Sequence, residues 1–131
     1  MLFEKIYKDV VASFGKLWQY KERGKSLEII TPFATTTQKF ISVFLTEKEG
    51  DFIVSDGGWL DTNIYENSFD TDEDVYRRIV LHYQVSFNIK EVKNSNDKRV
   101  YYKKTTKPVA VASLVYDMAN FISSLVSLGE V

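Results

Sequence analysis

The sequence predicts an α+β domain: a mostly antiparallel sheet built from hairpins, with N-terminal, middle and C-terminal helices packed on it. Three observations carry that prediction. Apolar residues recur at helical spacing in three separated stretches. β-Branched and aromatic runs bounded by turn residues fill the intervals between them. No strand–helix–strand unit repeats along the chain, as a parallel sheet would require. With 131 residues, 44% apolar and 15% aromatic, the span 1–131 can bury one core and predicts a single domain.

Leu2, Phe3, Ile6, Val10, Phe14 and Leu17 lie three and four apart, which places one apolar stripe on a first helix. Glu4, Lys5, Lys8 and Asp9 fall elsewhere around it, and Gly15 weakens its last turn. Strands are expected over 27–30 and 40–46, separated by TPFATTTQ as an extended loop. FISVFLTEKEGDFIVSDGG reads as a hairpin whose charged connection contains Gly50, free to take positive φ. Leu60, Ile64 and Tyr65 are compatible with a short helix.

FDTDEDVYRRIVLHY predicts the middle helix, with Thr71 and Asp74 at capping-box spacing and Val75, Ile79 and Tyr83 as its stripe, Tyr76 and Val80 beside it. A second hairpin follows: Val85, Phe87 and Ile89 alternate with polar neighbours, the chain turns at NSND and returns as RVYYKK. Pro108 opens the closing helix, whose broad apolar face includes Leu114, Met118, Phe121, Ile122 and Leu125, and Gly129 stops it.

Composition excludes several function classes. With no cysteine and one histidine, His82, there is no thiol chemistry, disulfide, thiolate metal site or paired-histidine catalysis. A net charge of −1 gives no global attraction to nucleic acid or to anionic lipid. The first ten residues carry interspersed charges, unlike a signal peptide. Ser113, Asp117, Asn120 and Ser123 break the one long apolar run, so no membrane span is expected. The expectation is a cytoplasmic protein without a cofactor, a metal site or catalytic residues.

Five features remain as candidates. Asp56, followed by Gly57 and Gly58 at the end of an apolar run, is either a turn former or an acid at a strand end. The second hairpin carries Lys90, Lys93, Lys98, Arg99, Lys103 and Lys104 around Tyr101 and Tyr102, a set that could track phosphates and stack on bases of a single strand, or simply be solvated. Asp56 with Glu91 and Lys93 supplies residue types for metal-dependent phosphodiester cleavage if their strands are neighbours. The acidic stretch with Asp61, Glu66, Asp70, Asp72, Glu73 and Asp74 combines helix capping with a surface suited to a basic partner, while the closing helix, apolar around much of its circumference, suits burial or a homodimer.

ITPF at Ile30 to Phe33, FISVFL, and FIVSDGG at Phe52 to Gly58, followed by the helix YRRIVLHY, a strand opening near Val85 and a closing helix, resemble the DUF1828 family of small bacterial and phage domains. The resemblance implies an accessory protein of a phage or other mobile element and supplies no catalytic residues. One departure is that Ser55-Asp56-Gly57-Gly58 offers one carboxylate where the family pattern is more acidic. The expectation is a non-enzymatic module that binds a protein, with a host defence protein as target, against the alternatives of nucleic-acid binding and metal-dependent cleavage.

Overall fold

A computed structural model describes residues 1–67 and 73–128. In chain order the elements are α1 (Leu2–Gly15), β1 (Gln19–Arg23), β2 (Ser26–Ala34), β3 (Phe40–Lys48), β4 (Asp51–Ser55), α2 (Asp74–Phe87), β5 (Lys90–Lys93), β6 (Arg99–Thr105) and α3 (Val111–Ser127). The strands form one antiparallel sheet in the order β1-β2-β3-β4-β6-β5. The first four make a meander. α2 then carries the chain to the outer edge at β5, and β6 returns between β5 and β4. This is the α+β class read from the sequence.

Local chemistry explains the turns. Glu49 and Gly50 join β3 to β4 with φ of 53° and 85°, a two-residue connection whose left-handed backbone matches the twist of the strands. In β2, Pro32 has no N–H for the ladder, and the register shifts between Ile30 and Ala34. The hydroxyl of Thr31 donates to the carbonyl of Ile41 at 2.8 Å and so ties the two strands where the ladder is interrupted.

The core lies on one face of the sheet. Ile41, Val43, Val54 and Tyr101 are fully buried there beneath α3, which buries Leu114, Met118, Phe121, Ile122, Leu125 and Val126. The Phe121 ring sits 5.1 Å from Tyr101 and 6.5 Å from Phe87 of α2, so this residue joins the sheet and both core helices. A 3₁₀ turn at Pro108–Ala110 leads into α3. By length and composition Pro108–Ser127 could cross a bilayer; here eight of its residues are buried in the core, while Val109 and Tyr116 are exposed.

Several expectations change. β1 is an additional strand: QYKER is exposed throughout and has no apolar alternation to announce it. The extended loop TPFATTTQ contributes its first half to β2. Val85 and Phe87 belong to α2 rather than to a strand, and Val85 is 82% exposed. The helix persists because Tyr76, Val80, Tyr83 and Phe87 all face the core at helical spacing, and Asn88 closes it in the left-handed conformation at φ 55°. The buried residues of α2 are Val80 and Gln84, so the expected stripe turns away from Val75, which is 67% exposed. Thr71 of the expected capping box and the expected stop at Gly129 lie outside the described residues. Residues 57–65 form successive turns instead of a short helix. Finally, α2 and α3 pack on the sheet or on each other, whereas every residue from 1 to 17 is exposed.

Candidate functional site

Asp56 ends β4 and is fully buried. One carboxylate oxygen accepts the N–H of Gly58 at 3.0 Å and that of Tyr101 at 2.9 Å, and the other accepts Leu60 N–H at 3.2 Å. Its own N–H donates to the Tyr101 carbonyl at 3.0 Å. One side chain therefore closes the turn and fastens it to β6. Burial pushes its carboxyl up from 3.8 to about 6, although the three N–H donors favour the ionised form. Gly57 and Gly58 have φ of 66° and 79°, and a Cβ on Gly57 would stand 2.5 Å from the Phe44 ring. Both glycines are required by backbone conformation, and Gly57 also by space.

Strand alternation divides the basic hairpin. Arg99, Tyr101 and Lys103 point to the helix-covered side. Tyr101 is 0% exposed against Phe121, so it is not available to stack on a base. Lys103 is held inward by the Asp117 carboxylate at 2.7 Å and the Phe87 carbonyl at 2.8 Å. Arg99 pairs with Glu91 at 3.1 Å, and Glu91 also pairs with Arg77 of α2. These three hold the fold together. On the opposite face Lys90 lies across from Tyr102, with Lys104 farther along β6 and ion-paired to Asp51 at 3.7 Å. Lys98 is exposed at the tip, and Lys93 pairs with Asp97 at 3.3 Å.

The cleavage constellation is not assembled. β6 separates β4 from β5, so Asp56 and Glu91 stand two strand spacings apart, about 10 Å. Both carboxylates are already engaged, and the described residues contain no cluster of His, Asp and Glu with metal-binding geometry. The acidic stretch is likewise partly consumed: Asp61 accepts Arg99 N–H at 2.8 Å, and Glu66 pairs with Lys39. Asp70 and Asp72 lie outside the described residues. His82 is exposed beside Tyr83, with no acid or base partner among the described contacts.

A further feature of the described residues is apolar and uncovered. α1 carries Leu2, Phe3, Ile6, Tyr7, Val10 and Val11 on one half of its circumference, each between 47% and 78% exposed. It has no extensive interface with any other described element. Its foot is held by an aromatic trio, Phe14, Trp18 and Phe33, with ring centroids 5.8 to 6.3 Å apart. The same three rings form one wall of a groove of about 630 Å³, almost wholly apolar, whose other wall is Val111, Val115 and Tyr116 of α3. A second hollow of about 490 Å³ shares Phe33, Tyr116 and Ala119 with it and continues to Asn120 and Ser123. The stripe is legible in the sequence, but the expected packing of this helix on the sheet is absent, since residues 1–17 are all exposed. The sign that it could stay bare was the short link from Phe14 to β1, which allows little room to fold back.

Comparison with protein-family models, curated proteins and solved structures finds no match.

Proposed function

We propose that the chain is a non-enzymatic protein-binding module whose docking elements are α1 and the groove at its foot. The observation that carries this reading is the uncovered stripe of α1 beside an apolar groove. Exposed apolar surface of this extent on a folded domain marks an interaction site. An amphipathic helix and a hydrophobic groove are the two halves of a recurring recognition mode. The engagement of Asp56, Glu91, Arg99 and Lys103 in holding the fold argues in the same direction, since it leaves little chemistry to spare. A phage or mobile-element setting, with a host protein as target, is the context that the DUF1828 resemblance implies. The test is capture by the tagged chain from a bacterial lysate with and without nuclease, read by mass spectrometry. A specific protein, a second copy of this chain included, that survives nuclease and is lost with Val10→Glu is the expected result; capture unaffected by Val10→Glu would sink the reading.

A second reading is favoured by the open sheet face, where Lys48, Lys90, Tyr102 and Lys104 lie on one side of β3, β4, β6 and β5. A cationic face with an aromatic residue suits a single-stranded nucleic acid. Binding of a labelled oligonucleotide, abolished by Lys90→Glu with Lys104→Glu and weakened by salt, is its signature.

A further inference from the structure

We infer that the partner which fills the groove is α1 of a second copy of this chain, the two copies exchanging their first helices across a two-fold axis; this rests on the reading of α1 and the groove as the docking site. Three features select a second copy. The first is length. α1 has 14 residues and spans about 21 Å, and the groove follows α3 from Val111 to Ser123, about 18 Å by the same helical rise.

The second is continuity. Phe14 is at once the last apolar residue of the helix and a wall of the groove, so helix and groove form one patch. A patch that holds both the projection and its receptacle is what an isologous contact needs, because two copies satisfy each other completely and the assembly closes. α1 does not serve its own groove: Lys16 and Leu17 N–H groups cap the helix on Ser13 and Phe14, and the aromatic trio holds it outward.

The third is area. The six uncovered apolar residues of α1, each about half or more exposed, offer an area on the order of the 800 Å² that each partner gives to a stable interface. On the receiving side Ala112, Ala119 and Ser123 recur along α3, and these small residues let a second helix approach closely. A bilayer surface fits less well, since Glu4 and Asp9 interrupt Lys5 and Lys8 on the polar side of α1, and it leaves the groove without an occupant.

The test is sedimentation of the whole chain across micromolar concentrations. The expected mass is twice that of one chain, falling to a single chain for Val10→Glu and for Ala112→Glu, both at exposed positions, with unchanged circular dichroism. Because the chain has no cysteine, single-cysteine variants report the exchange directly. Mixtures of Val10→Cys copies with copies carrying a single cysteine at either end of the groove, Ala112→Cys or Ser123→Cys, should form a mixed disulfide at one end in several-fold excess over either like pair. A single-chain mass throughout, a dimer unaffected by Val10→Glu, or no excess of either mixed disulfide would overturn the exchange. So would a wild-type monomer that binds anionic vesicles through α1. A wild-type monomer that captures a different protein in a Val10-dependent way would overturn the exchange and leave the binding-module reading standing; failure of both measurements removes both.

Discussion

α1 and α3 are helices of similar length, 14 and 17 residues, each marked by apolar residues at helical spacing, and the fold treats them in opposite ways. α3 buries eight residues against the sheet and α2. α1 buries none. Periodicity announces a helix and the direction of its apolar face, but it carries no information about what covers that face. In α3 the cover is this chain's own sheet. In α1 the described residues provide only an aromatic anchor at one end, and an isolated helix of this length is marginal in water. The difference separates a helix that stabilises the domain from one suited to a partner.

Four measurements would break or sharpen that contrast. The largest expected effect is in the core. Phe121→Ala should cost about 3–5 kcal/mol in denaturant unfolding, whereas Phe3→Ala, measured dilute enough to keep copies apart, should stay within about 0.5 kcal/mol. Equal effects would mean that α1 is packed as α3 is.

Next is the polar counterpart of the core. Asp56→Ala strands three backbone N–H groups in the interior and should cost about 2–4 kcal/mol, with Asp56→Asn milder because one amide oxygen still accepts from Gly58 and Tyr101. A neutral Asp56→Ala would remove its role as the fastening of the turn.

The same residue sets a pH dependence. Burial raises its carboxyl to about 6 in the folded chain from 3.8, so between these values the folded state holds more proton than the unfolded one. Stability from this group therefore falls as pH rises from about 4 to about 6 and is level above, by an amount on the order of 3 kcal/mol. Chemical denaturation of wild type and Asp56→Asn should show a wild-type advantage that is larger at pH 4 than at pH 7. The opposite slope would mean that the N–H donors outweigh burial.

The smallest contrast lies within the basic hairpin. Lys103→Ala breaks a shielded pair with Asp117 and should cost about 1–2 kcal/mol, while Lys90→Ala, exposed on the other face, should change stability by less than about 0.5 kcal/mol. Thermal melts of the two variants would show it.

The candidate residues were legible to different depths. That Asp56 with two glycines makes a turn follows from local chemistry, since two of its three acceptor contacts lie within four residues. Its bond to Tyr101, 45 residues on, does not. The hairpin shows why. Tyr101 and Tyr102 are adjacent, as are Lys103 and Lys104, so period-two alternation assigns one of each to each face without saying which face is covered. Similarly, Val85, Phe87 and Ile89 satisfy a strand pattern, but Phe87 also completes a helical set with Val80 and Tyr83, and packing on Phe121 favours the helix.

By itself the sequence determined the helical stripes, the turns at Gly50 and Gly57, the antiparallel class and the absence of thiol chemistry. Each of these depends on interactions within a few residues or on composition. The tertiary structure alone decided that β6 inserts between β4 and β5, that Arg99, Tyr101 and Lys103 turn inward, and that α1 stays bare beside a groove of matching length. Those outcomes depend on which distant surfaces meet, and a one-dimensional pattern specifies the faces available for burial without specifying their partners.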